Sequence, residues 1–102
     1  MSERRIQPVH PGEIIAEDIL EELGMTSRQL AEKLGVPPVQ LSEIVRGRRS
    51  ITADTAIHLA RWLGGDAGFW LDLQKRFDLE TTMLSDGEEI FRTVTPRESE
   101  AA

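Results

Sequence analysis

Apolar residues recur at three- and four-residue spacing through most of the chain, and glycine or proline interrupts the pattern at intervals. That period predicts amphipathic helices. The first should run from about Pro11 to Leu23, with Ile14, Ile15, Ile19, Leu20 and Leu23 on one face. Pro11 suits the first helical position, Glu13 places a carboxylate in the first turn, and Gly24 stops the helix. A second should begin after Thr26, with Gln29 as capping-box partner, an inner stripe of Leu30, Ala31 and Leu34, and Gly35 at its end. The Pro37-Pro38 pair opens a third, which buries Leu41, Ile44 and Val45 and ends at Gly47. After the loop Arg48-Arg49-Ser50, Thr52 caps a fourth helix that reaches Leu63, with Ala56, Leu59, Ala60 and Leu63 inward. A fifth should follow Gly64-Gly65, from Asp66 to about Glu80.

Beyond Thr81 the pattern decays. Asp86-Gly87 is a turn signal, and Glu88 to Thr95 form a short strand only if they find a partner; disorder is the alternative. Pro96 to Ala102 are expected to be disordered. The chain therefore divides into an arm (1–10), an all-α five-helix domain (11–80) and a partly disordered tail (81–102).

Charge changes this picture by its distribution. The 102 residues carry a net −6. Residues 26–63, however, hold six Lys/Arg (Arg28, Lys33, Arg46, Arg48, Arg49, Arg61) against three Asp/Glu (Glu32, Glu43, Asp54). The segments on either side are acidic. Screening confines a charge's influence to about 10 Å, so a local basic surface suffices for phosphate. The acidic flanks suit a basic protein partner. There is no cysteine, which excludes disulfides and thiolate chemistry. The absence of an apolar N-terminal stretch or membrane-length run predicts a cytoplasmic protein with no membrane association.

The segment Thr26 to Gly47 reads helix, glycine, short turn, helix. Ala31 allows a close helix crossing, Gly35 allows the tight turn, and Leu41 and Ile44 lock the angle; together these are the requirements of a helix-turn-helix, whose second helix enters the major groove. The chain here resembles the HigA/VapI branch of the Cro/C1-type (XRE) helix-turn-helix family. The likeness is carried by Val9-His10-Pro11-Gly12-Glu13-Ile14, Leu34-Gly35-Val36-Pro37-Pro38 and Glu43-Ile44-Val45-Arg46-Gly47-Arg48-Arg49. It continues through Ile51-Thr52-Ala53-Asp54-Thr55-Ala56 and Phe69-Trp70-Leu71-Asp72-Leu73-Gln74, spanning residues 9 to 80. The resemblance implies a lambda-repressor-like five-helix domain, a homodimer, operator DNA as ligand and a HigB-type toxin as partner.

Pro38, Val39, Gln40, Ser42 and Glu43 lie early on the recognition helix, where side chains reach base edges. Gln40 suits adenine, Val39 a thymine methyl, and Ser42 several bases; Glu43 either accepts from cytosine or holds Arg46. An ordinary solvated helix face is the alternative. Ser27, Arg28 and Gln29 at a helix start, and Arg46, Arg48 and Arg49 around the end of the recognition helix, suit phosphates. Capping by Thr26 and dipole compensation by Arg46 compete with that reading. The family often carries basic residues at positions 39 and 40, and this chain has Val39 and Gln40. That shifts affinity toward flanking phosphate contacts and DNA shape.

Phe69, Trp70, Leu73 and Phe77 form a stripe too large for one protomer to bury, which predicts a dimer contact. His10 and His58, the only histidines, read as structural. No histidine–carboxylate cluster or glycine-rich phosphate loop is present, so no enzyme, metal, cofactor or small-molecule substrate is expected. Three functions fit: an antitoxin that represses its own operon, a stand-alone XRE-type regulator, or an interaction module that has lost DNA binding.

Overall fold

The computed structural model describes residues 7–98; the start of the arm and the end of the tail lie outside the described residues. Five helices follow in order between residues 11 and 93. Helix α1 opens as Pro11–Ile14 and widens into a π-helical segment, Ile15–Glu21. Then come α2 (Ser27–Leu34), α3 (Pro38–Val45), α4 (Ala53–Leu63) and α5 (Ala67–Thr93). The core is Ile15, Ile19, Leu30, Ala31, Leu34, Val36, Leu41, Ile44, Ile51, Ala56, Leu59 and Trp70. Its members come from all five helices and two connecting loops, so the first four helices pack on one another and on the start of α5.

The local chemistry explains the boundaries. His10 caps α1, its Nδ1 accepting the Gly12 N–H at 2.9 Å. At α2 the capping box is complete: Gln29 N–H donates to Thr26 Oγ1 at 3.1 Å, and Thr26 N–H to Gln29 Oε1 at 2.9 Å. Gly35 takes φ 75°, ψ 31°, a left-handed conformation in which a side chain would be strained. There the chain turns into α3 across Ala31, which is fully buried. The π-helical segment was not legible, because apolar spacing at 15, 19 and 23 fits a wider turn as well as an α-helix. Leu23 and Leu63, expected inward, are exposed at the last turns of α1 and α4.

One contact fixes how α1 meets the recognition helix. A Cβ on Gly12 would lie 1.9 Å from the Ile44 carbonyl oxygen and 2.9 Å from that of Val45. The first turn of α1 therefore rests directly on the backbone at the end of α3. His10 sits in the same place, buried, with its ring edge-on to Phe77 at 4.8 Å.

The C-terminal region differs from expectation. Helix α5 does not stop near Glu80, Asp86-Gly87 is not a turn, and residues 88–93 are helix rather than strand. Its 27 residues make it about 40 Å long. A glycine inside a helix costs only about 1 kcal/mol relative to alanine. The packed first half nucleates the helix, propagation past Gly87 is inexpensive, and no proline occurs until Pro96. The distal part projects from the domain. The molecule measures 57 × 31 × 23 Å, with a radius of gyration of 17.2 Å against about 13 Å for a compact chain of this length.

Two outcomes follow from this packing. Gly12→Ala should destabilise by about 3 kcal/mol, through the clash with the backbone of α3, measured as a lowered urea midpoint with unchanged slope. Burial lowers the His10 pKa below its ordinary 6.5, against the opposing pull of Asp78, the Arg49 backbone and Glu13. The unfolded chain therefore takes up this proton first as pH falls. The stability present above pH 6.5 should decline below it, until the folded-state value is passed. Urea midpoints at pH 7.5 and 5.5 test this against His10→Asn, which keeps a capping group and should show a shallower dependence; equal slopes would refute it.

Candidate nucleic-acid interface

Helix α3 presents two different faces. Leu41 and Ile44 point inward, completely buried, and fasten it to the core. Pro38, Val39, Ser42, Glu43 and Arg46 turn outward, and Val39 is 68% exposed. Opposite them lies the start of α2. The two helices border a shallow open cleft of about 430 Å³, lined by Ser27, Arg28, Pro38, Val39, Ser42, Glu43, Arg46 and Arg48. Three guanidinium groups, of Arg28, Arg46 and Arg48, and one carboxylate, of Glu43, thus border the exposed start of α3, in the segment where positive charge outnumbers negative.

Three candidate residues stand outside that lining, each for a visible reason. Gln40 lies on the flank of α3 facing α4, where Nε2 donates to Thr55 Oγ1 at 3.0 Å. Its partner Thr55 is fully buried, so the amide braces two helices together. Gln29 spends its side-chain carbonyl in the capping box. Arg49 is held by Glu43, with Nε and Nη2 at 2.8 and 2.6 Å from the same Oε1. The sequence offered Arg46 as the partner of Glu43. Arg49 takes that place because the loop after Gly47 folds back over α3, with Arg48 N–H donating to the Glu43 carbonyl at 2.8 Å. The pair is roughly half exposed, so its strength is modest and its arginine exchangeable.

The arginine loop is anchored from beneath. Gln74, buried on α5, accepts the Ile51 N–H through Oε1 at 2.8 Å and donates from Nε2 to Asp78 at 3.0 Å. His10 supports the other end, its ring 3.7 Å from where a Cβ on Gly47 would stand. Neither Gln74 nor Thr55 was singled out from the sequence. The signal for Gln74 was its position four residues after Trp70, on the inner face of α5.

The four residues expected at a dimer contact separate. Trp70 is buried in the core, Leu73 is half-buried, and Phe77 is occupied with His10. Phe69 alone is fully available, edge-on to Trp70 at 5.3 Å. His58 is bonded through Nδ1 to the Asp54 carbonyl of its own helix. Among the described residues no group of His, Asp and Glu could hold a metal, and no helix is long and apolar enough to cross a membrane.

Comparison with known proteins places this geometry. A helix-turn-helix family profile matches residues 17–70, which include every residue lining the cleft. Virulence-associated protein I of Dichelobacter nodosus is 41% identical over 93 residues, 91% of this chain and 84% of that protein. Antitoxin HigA-1 of Vibrio cholerae is 39% identical over 82 residues, 80% of this chain and 77% of its own length. The solved structure of Pseudomonas aeruginosa antitoxin HigA with the higBA promoter superposes with a TM-score of 0.85 at 36% identity, covering 89% of this chain and 99% of that one. The chain belongs to the helix-turn-helix family, in the branch whose named members are the HigA antitoxins and virulence-associated protein I.

Proposed function

We propose that this protein is the antitoxin of a HigBA-type pair and represses its own operon. A homodimer occupies a palindromic operator in the cytoplasm, with the start of each α3 in a major groove. The observation that carries this is the outward face of α3, Pro38, Val39, Ser42 and Glu43, bordered by Arg28, Arg46 and Arg48 and left open by the other described residues. In this geometry Val39 meets a thymine methyl, Ser42 bonds a base edge, and the Glu43 carboxylate accepts from an exocyclic amine such as that of cytosine. Ser27 and Arg28 at the start of α2, with Arg46 and Arg48 beyond α3, contact phosphates and set the register. Gln40 acts by holding α3 on α4. Arg49 joins the phosphate contacts by leaving Glu43.

A separate surface binds a small basic toxin, a ribosome-dependent mRNA endonuclease of the HigB type. Its support is the acidity of the chain outside the helix-turn-helix and the printed names of the antitoxin relatives. Purification of the tagged protein from its native cell, with identification of the bound protein, tests this part. Recovery of operator DNA without a basic partner would leave a stand-alone regulator.

The division of labour in the cleft gives distinct mutant behaviour. Arg48→Ala should weaken binding to operator and unrelated DNA by similar factors and lower the salt slope by about one. Ser42→Ala should cost about 1–3 kcal/mol on the operator and leave unrelated DNA nearly unchanged. Mobility shifts across a salt series measure both; equal losses on both kinds of DNA would refute the assignment.

A further inference from the structure

Glu43 is the single carboxylate among the described residues lining the cleft, and the arginine that neutralises it stands outside that lining. Arg49 places Nε and Nη2 at 2.8 and 2.6 Å from one oxygen of Glu43, Oε1. Both side chains are roughly half exposed, so the pair is weak and its cation can be exchanged. The backbone around the pair is held far more firmly. Arg48 N–H donates to the Glu43 carbonyl, the Ile51 N–H donates to Gln74, and the ring of His10 supports Gly47. Arg49 therefore stands on a strip of chain anchored at both ends. It leaves Glu43 by rotating its side chain, with no rearrangement of the loop.

What Glu43 meets in a major groove decides whether that rotation is favourable. Guanine N7 and O6, adenine N7 and thymine O4 are acceptors that repel a carboxylate, and the phosphates add their own negative field. Against these groups Glu43 needs its cation. Cytosine presents only its N4 amine on this edge. Opposite that amine the carboxylate has a replacement donor, and Arg49 is set free beside Arg48 at the border of the cleft. We infer that the pair is a base-conditioned switch for a phosphate contact, which rests on the operator-binding reading. Arg49 stays on Glu43 over unrelated DNA and transfers to a phosphate where Glu43 accepts from cytosine. Arg49 reads no base, yet it determines specificity, because its phosphate contact forms at the operator alone. Arg48, by contrast, meets phosphates on any sequence. The same carboxylate thus discriminates twice, by attraction to the correct base and by withholding a cation from the wrong ones.

Mobility shifts of the full chain across a salt series, on two duplexes, test the switch. One duplex comes from the region upstream of the protein's own gene; the other is a scramble of equal length and composition. The double variant Glu43→Ala/Arg49→Ala removes one charge of each sign, so net attraction to DNA is unchanged. It should bind the scramble as the unaltered protein does, with the same salt slope. It should bind the upstream duplex at least about tenfold more weakly, with a slope lower by about 0.9. Glu43→Ala alone frees Arg49 on every sequence. That variant should bind the scramble about three- to tenfold more tightly and with a steeper slope, while binding the upstream duplex more weakly. Urea midpoints check the fold, and Glu43→Gln/Arg49→Gln replaces the double variant should alanine lower them. A double variant that loses slope on both duplexes makes Arg49 a constant clamp, and one that loses it on neither makes the pair a surface ion pair only. Either result, or a Glu43→Ala protein no tighter on the scramble, overturns the switch and leaves the repressor reading standing. An unaltered protein that does not distinguish the two duplexes removes that reading and the switch with it.

Discussion

The recognition surface depends on a close backbone approach: the first turn of α1, at Gly12, lies on the last carbonyls of α3. Nothing larger than hydrogen fits there. That contact sets the height and angle of α3 against the rest of the domain, because Leu41 and Ile44 fix its inner side but not its tilt. The neighbouring His10 performs three tasks in one place. It caps α1, packs on α5 and supports the start of the arginine loop. The geometry of the cleft is therefore braced from outside the helix-turn-helix proper.

Polar groups complete what the core begins. The buried amide of Gln74 holds the backbone of Ile51, and the buried hydroxyl of Thr55 holds Gln40. Each buried side-chain polar atom among the described residues has a partner. Such satisfied contacts fix position at little energetic penalty, whereas an apolar replacement would strand the remaining partner. In consequence the loop bearing Arg46, Arg48 and Arg49 is exposed in its side chains and constrained in its backbone. On the proposed operator-binding reading, that combination suits groups that meet phosphates at fixed spacing, Arg49 by leaving Glu43.

The charge arrangement divides the molecule by function. Cationic groups surround α3, while carboxylates cover α1 and the polar side of α5. In water at physiological salt these regions act almost independently, since about 8 Å of electrolyte screens one from another. An acidic protein can therefore present a basic face to DNA. The same acidity limits non-specific binding, which makes contact geometry more important than net attraction.

The sequence by itself determined the number of helices, their starts and most of their stops, because caps, prolines and left-handed glycines act within a few residues of where they stand. The capping box at Thr26, the turn at Gly35 and the inward Leu41 and Ile44 were all readable from spacing. It also brought the cleft's arginines into one segment. Tertiary structure decided the rest. That the Gln40 amide braces α4 depended on Thr55, fifteen residues away. The partner of Glu43 depended on the fold of a loop, and the need for Gly12 on a helix distant in sequence. The end of α5 was misread for a related reason: Asp86-Gly87 is a turn signal only for a chain free to turn, and a helix already nucleated on the core extends through it.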